Sequence, residues 1–425
     1  MQSQNIQELS LTPIRPLLWR YFWPSFIGMM AHSLYNIIDR MFIGQAVGAE
    51  ALSGVTAVFP IMIIMMAFGM LIGIGASVQV SLSLGRKDME KAQQILGNAV
   101  VLIFIVATAL MVAGFLLKGP MLRLFGASDT TIGYANDYLN IILLGSVMHH
   151  FGFSMNGIIR AEGNARIAMY SMLLSAGTNI PLDALFILHW GMGVKGAAIA
   201  TVISMSVLAI WVLFHFRSKR CVVPLKLNYI RLQPAIVLAI VAVGVSPFLM
   251  QAANSVVQAL LNFNLIKYGG DLAVGAMGIV NSVIFLIITS IIALNMASQP
   301  IIGYNYGARN FPRVQEALKL TVIIATLIST ICWVITNLMP AVLVKAFVAD
   351  DEVLIALGVQ GLRLFLLMLP LVGFQIVTGN YFQSIGKAST AIFLTLLRQV
   401  FMLIPLLFIL PPLLGLKGVW LAAPI

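Results

Sequence analysis

The chain has 425 residues, 60% of them hydrophobic and only 9% charged, with a mean hydropathy of +1.00. That balance excludes a water-soluble domain. Two cysteines exclude a disulfide framework, and the net charge of +11 sits in breaks between apolar runs, which excludes a nucleic-acid binder in favour of membrane topology.

A spanning helix needs about 20 mostly apolar residues. In chain order, such runs lie near 17–43, 55–82, 95–117, 135–158, 167–188 and 194–216. Six more follow near 235–262, 277–304, 317–340, 353–380, 389–411 and from 416 onward. The expected fold is an all-α polytopic membrane protein with twelve transmembrane helices. The first residues lack the short apolar core and small-residue cleavage site of a signal peptide. With the N-terminus inside, the inner segments hold sixteen of the 25 Lys and Arg and the outer loops seven, while Arg363 and Arg398 fall within spans. This asymmetry places both termini in the cytoplasm of a multi-pass inner-membrane protein.

The basic stretch "RSKRCVVPLKLNYIR" (217–231) separates two halves that match each other at an offset of 222 or 223. "SLGRKDMEKAQQIL" (83–96) aligns with "NYGARNFPRVQEAL" (305–318), and "GVKGAAIA" (193–200) with "GLKGVWLA" (415–422). An even number of spans per repeat makes both halves enter the bilayer from one side, so the two lobes are related by an axis along the membrane normal. The expected organisation is an N-terminal six-helix lobe over 1–216 carrying a cation site, a basic cytoplasmic linker over 217–231, and a C-terminal six-helix lobe over 232–425. The alignment makes the last helix truncated in this chain, because its partner runs about 20 residues past Val194.

A carboxylate inside a span costs roughly 2.5 to 3.5 kcal/mol on insertion scales. Of the 14 acids only Asp39 and Asp183 fall there. At 1.5 Å per residue both sit some 6 to 8 Å below the outer surface. Asn179 is one turn from Asp183 on the same helix face, and Thr201 reaches a similar depth. An acid held away from water exchanges protons near ambient pH, and carboxylates with neutral oxygens also suit Na⁺. Within "HSLYNIIDR" (32–40), Tyr35 is a hydrogen-bond donor candidate for Asp39, and His32 a proton-relay candidate. Pro24 and Pro181 are hinge candidates, since proline removes a backbone hydrogen bond. Twenty-three Met and 24 Phe suit a cavity for varied greasy ligands.

There is no phosphate-binding loop, zinc helix or nucleophile elbow. The chain therefore reads as a secondary active transporter, not an enzyme, with no cofactor and with an ion gradient as its power source. The stretches "LYNIIDRMFIG" (34–44), "IIRAEGNAR" (158–166) and "NIPLDALFIL" (179–188), in that order along twelve spans, resemble the multidrug and toxic compound extrusion (MATE) family. The resemblance implies two lobes around a cavity that opens alternately to each side, exporting small lipophilic, mostly cationic drugs in exchange for H⁺ or Na⁺. It also implies that Asp39, Asp183, Tyr35, Asn179 and Thr201 form the coupling site, which Asn156 joins by its match to the family. Spans seven and ten, "VSPFLMQAANSVVQ" and "LVGFQIVTGNYFQ", lack the acids of NorM-like members, which places the chain on the DinF-like side. The remaining expectations are membrane lipids as the surroundings and a monomer as the oligomeric state. The alternative function is a lipid-linked precursor flippase, for which only Arg363 and Arg398 supply cationic lining.

Overall fold

Hydrocarbon offers no partners to backbone polar groups, so a spanning chain satisfies them within itself, as helix. The computed structural model describes residues 2–218, 221–348 and 351–424. Lys219 and Arg220 of the linker, Asp350 and Ile425 lie outside the described residues, and with Ile425 the expectation of a cut final helix. A short α1 (Gln2–Leu11) precedes α2 (Ile14–Ala46), α3 (Ala49–Gly85), α4 (Met89–Leu124), α5 (Ile132–Ala161), α6 (Ala165–His189) and α7 (Gly193–Arg217). After the linker come α8 (Pro234–Gly270), α9 (Leu272–Gly307), α10 (Phe311–Leu338), α11 (Pro340–Lys345), α12 (Glu352–Phe365), α13 (Leu369–Ser384), α14 (Ala388–Leu414) and α15 (Leu416–Leu421).

Nine of these, among the described residues, are long and apolar enough to cross a membrane, and α12 with α13 makes a tenth span bent by 52°. Span ten is thus a broken helix where the sequence suggests a continuous one. Pro370 explains the break, because its ring cannot continue the preceding helix. The 33-residue α2 occupies the position of span one, and α15 is a six-residue helix at the position of span twelve. Between α8 and α9, Gly270 takes φ 66° and ψ −166°, a backbone shape that a side chain disfavours.

The internal repeat reappears as geometry. Lys87 and Arg309, 222 residues apart, both adopt a left-handed conformation (φ 61° and 57°) after α3 and α9. The turns around them are hydrogen-bonded alike, Asp88 N to Ser83 O and Asn310 N to Asn305 O, both at 2.9 Å. The same two helices meet across the lobes. A Cβ on Gly85 would lie 2.0 Å from the Tyr304 carbonyl oxygen, and one on Gly307 would lie 2.2 Å from that of Leu82. Each partner is the other's repeat equivalent, and such reciprocity is the mark of a two-fold relation. Higher up, α3 meets α8 in the same manner, Gly75 on Ile240 and Gly244 on Leu71, with Phe68 and Phe248 edge to face at 4.9 Å. The lobes are therefore in backbone contact on the face that carries the linker.

The linker is seated, not slack. Cys221, Val222 and Val223 are buried, Gln233 N donates to Asn98 Oδ1 at 2.6 Å, and the Tyr229 hydroxyl reaches Glu90 at 3.3 Å. The segment before α2 binds the opposite lobe, where Arg313 donates to the carbonyls of Leu9 and Thr12 at 3.2 and 2.7 Å.

Candidate cation site in the N-terminal lobe

α2 and α6 pack side by side and each delivers one acid. Asp39 is 6% exposed and Asp183 not at all. Counting from the helix ends opposite the linker, Asp39, Asp183 and Thr201 lie about 9 to 12 Å deep at 1.5 Å per residue. Neither acid has a cation. The ion pairs among the described residues are Arg20–Glu8, Arg123–Asp129, Lys195–Asp137 and His215–Glu162. Arg40, the neighbour of Asp39, instead places its guanidinium 4.1 Å above the Phe59 ring.

The polar atoms themselves are unmatched. Asp39 Oδ1, both carboxylate oxygens of Asp183, and Oδ1 and Nδ2 of Asn179 are buried without a hydrogen-bond partner. Buried polar atoms are nearly always paired, so five orphans on three residues of α2 and α6 mark this spot as a candidate site. Asp39 is the charge that acts on Asp183, and Tyr35 lies within electrostatic range of both. Local backbone chemistry shapes the spot. Pro181 cannot donate to the carbonyl four residues back, and directly after Asp183 the helix passes into a π-helical stretch, Ala184–His189. Such insertions alter the direction of side chains and recur at functional sites. By contrast α2 runs unbroken through Pro24.

Tyr138 on α5 belongs to the cluster as well. It is buried, beside Thr201 and within electrostatic range of Asp39, Tyr35 and Asp183. The depth argument that selects Thr201 applies equally to Tyr138, about 9 Å from its helix start. The sequence does not mark it, because a tyrosine near the end of a span is also an ordinary interfacial residue.

Asn156 is elsewhere. Its amide donates to Ala168 O at 2.8 Å and Ser171 Oγ at 2.7 Å, and its oxygen accepts from Arg160, so it fastens α5 to α6. It shares with His32 and Tyr35 the wall of a cavity of about 30 Å³, also lined by His149 and Ser175. That volume holds a water molecule. His32 packs its ring edge to face on Tyr35 at 4.9 Å, so the chamber adjoins the acid cluster through Tyr35.

Glu162 is the acid that position in a loop disguised. It is fully buried and accepts from His215 Nε2, Cys221 Sγ at 3.3 Å, and the backbone of Val222 and Val223 at 3.1 and 3.0 Å. Glu162, His215 and Cys221 also offer ligand atoms within 4.8 Å of one another, the one metal-competent grouping among the described residues. The hydrogen bonds already account for this carboxylate as the fastening of the linker. Burial, and then the Glu162 charge, push the Cys221 thiol well above its ordinary range.

Two bundles of spanning helices in backbone contact on one face, with a buried polar cluster inside one of them, have the architecture of a membrane transport protein. The profile of the MatE family matches residues 24–185 and 247–409, one segment in each half. The chain belongs to that family of secondary transporters. It is 26% identical over 419 residues to "Multidrug export protein MepA" of Staphylococcus haemolyticus, covering 99% of this chain and 92% of the relative. A solved structure of the MATE multidrug transporter DinF-BH in complex with a dye is 40% identical, with a TM-score of 0.90, covering 97% of this chain and 92% of the other. An outward-facing conformation of a multidrug resistance MATE family transporter is 28% identical with a TM-score of 0.92, covering 98% and 93%.

Proposed function

We propose that the protein is a cation-coupled multidrug antiporter that exports lipophilic, mostly cationic compounds by alternating access, with H⁺ or Na⁺ as the coupling ion. The observation that carries this reading is the set of five orphaned polar atoms on Asp39, Asn179 and Asp183. A proton turns an orphaned carboxylate oxygen into a donor, and a sodium ion gives several oxygens a common partner. Either guest removes the like-charge conflict between Asp39 and Asp183. The helix segment around Pro181 then repacks, the lobes stay closed on the linker face, and drug is released outward. Tyr35, Tyr138 and Thr201 surround the acids, and His32 with the adjoining chamber relays the proton. The linker and both termini are cytoplasmic in this scheme, the drug meets the Met- and Phe-rich surfaces between the lobes, and a monomer suffices. The names of the relatives, a multidrug export protein and a multidrug transporter holding a dye, support the cargo class.

Coupling is reciprocal, so drug binding must in turn promote ion release. Inward movement of one charge is worth about 2.3 kcal/mol per 100 mV. The test loads liposomes containing the purified protein with a fluorescent lipophilic cation and imposes a pH or a Na⁺ gradient separately. Efflux under one gradient, lost in Asp39→Asn and in Asp183→Asn, is the expected result and names the ion. Unchanged efflux in both variants overturns the assignment of the site. No efflux under either gradient favours the lipid-linked precursor flippase.

A further inference from the structure

The C-terminal lobe holds a charge with no ion-pair partner among the described residues. Arg398 lies on α14 about ten residues from Ala388, roughly 15 Å along the helix and further than an arginine side chain extends toward water. It is half-buried, and none of the ion pairs among the described residues includes it. The acids of this lobe whose side chains are described stand at helix ends: Glu316 is exposed near the start of α10, Asp351 caps α12 by accepting from Leu354 N at 3.0 Å, and Glu352 follows it in an exposed position. What Arg398 has is a neutral partner, since Nη1 donates to Gln375 Oε1 on α13 at 3.0 Å. Its neighbour Gln399 donates to Asn254 Oδ1 on α8 at 2.6 Å, while Gln399 Oε1 is buried with no partner. Adjacent residues of α14 thus tie polar side chains of α13 and α8 within apolar spans. The helix there is π-helical over Leu397–Leu403, as it is after Asp183 in the other lobe.

A guanidinium presents a planar fork of donors that matches a carboxylate with two parallel hydrogen bonds, and a membrane cation marks a functional site by default. The Gln375 amide, tied to Arg398 through its oxygen, keeps its NH₂ for the same guest. We propose that Arg398, with Gln375, is an anion-accepting site in the C-terminal lobe, which binds the carboxylate of an amphiphilic ligand. The lobes would then recognise opposite charges, cations at Asp39 and Asp183 and an acid head group at Arg398. This deepens the transport reading, yet it is a binding statement and is read without any gradient, so it stands or falls separately from coupling at Asp39.

The test measures binding of two xanthene dyes to the purified full chain in detergent by fluorescence polarisation. One dye carries a free carboxylate and the other is its ethyl ester, so the pair differs in one negative charge. Arg398→Gln is expected to weaken the acid dye tenfold or more and to leave the ester within twofold, the ester serving as the check of folding. Gln375→Glu keeps the arginine and its shape but supplies an internal carboxylate at the 3.0 Å contact, and is expected to abolish the preference in the same way. Arg398→Lys, a point charge without the fork, should fall between. Gln375→Glu that retains full preference for the acid dye overturns the proposal, as does Arg398→Gln with unchanged acid binding. Displacement of the acid dye by phosphatidylglycerol in the wild type, but not in Arg398→Gln, supports the site and assigns its resident to a lipid head group.

Discussion

The reciprocal glycine contacts between α3 and α9 predict that one methyl group moves the lobes. In Gly307→Ala the new Cβ starts 2.2 Å from the Leu82 carbonyl oxygen, and in Gly85→Ala 2.0 Å from that of Tyr304. A carbon and a carbonyl oxygen rest about 3.3 Å apart or more, so the helices must separate by about 1 Å. Backbone lies on the far side of each contact, so no rotamer change relieves it. Overpacking of this kind costs about 1 to 3 kcal/mol. The cost falls on the arrangement in which the linker face is closed and vanishes where that face is open, so the ratio of open to closed rises by roughly 5- to 150-fold. Spin labels at Arg86 and Ala308, exposed and equivalent in the two repeats, report the separation by pulsed dipolar spectroscopy, with Cys332 replaced by Ser and buried Cys221 left in place. Wild type is expected to give mainly the short distance, and Gly307→Ala a second, longer population. Gly379→Ala, where a Cβ meets nothing within 4 Å, is the control and should match wild type. A Gly307→Ala distribution indistinguishable from wild type would refute the view that these contacts hold the face closed.

Other outcomes follow from the same contacts. Glu162→Leu leaves His215 and the Val222 and Val223 amides without their acceptor and should lower stability by about 3 to 5 kcal/mol, read as thermal unfolding in detergent. Cys221 should resist maleimide in the native protein up to about pH 9 and react only after denaturation, because burial holds its thiol protonated. The sign for stability follows: an unfolded thiol ionises above about pH 8.5 while the native one does not, so this group's contribution falls as pH rises past about 8.5, at up to about 1.4 kcal/mol per unit. Native labelling that climbs with pH below that limit contradicts this environment. Tyr138→Phe should slow gradient-driven efflux several-fold while leaving the melting temperature within a few degrees, since it removes one hydroxyl beside Thr201 and keeps the ring. Wild-type efflux in Tyr138→Phe would place the phenol outside the coupling site.

Much of the architecture was legible because lipid imposes it. Hydropathy marks the spans, since a helix must cover about 30 Å of hydrocarbon with apolar side chains. It misses their true ends, and α3 extends from Ala49 to Gly85 where the apolar run covers 55–82, because helix continues into amphipathic turns beyond the bilayer. Asp39 and Asp183 were legible because charge within an apolar run is costly. Glu162 was not, because hydropathy reads a short polar stretch as exposed, whereas the returning linker covers it. Asn156 matches the family in sequence, and the structure ties its amide to Ala168 and Ser171 and its oxygen to Arg160, in a cavity wall it shares with His32 and Tyr35. Periodicity also says nothing about distances between backbones, so the closeness of Gly85 to Tyr304 appears only in three dimensions.

The repeat separates what holds the molecule together from what gives it chemistry. At an offset of 222, Gly85 and Gly307, Lys87 and Arg309, and Asp88 and Asn310 retain type or conformation, and these positions make the turns and the contact between lobes. The same offset pairs Asp39 with Leu261, Asp183 with Pro405, and Arg398 with Ala176. A two-fold contact constrains both copies at once, because a Cβ on either glycine separates the same two helices. A buried charge is constrained only by its own surroundings, so one lobe can lose it without cost to the other. The alternating-access exchange proposed above would profit from that freedom. In that scheme the hinge face must be symmetric enough to close, whereas the proposed ion and ligand sites in different lobes would let binding at one favour a different arrangement from binding at the other, which is the differential affinity that exchange requires.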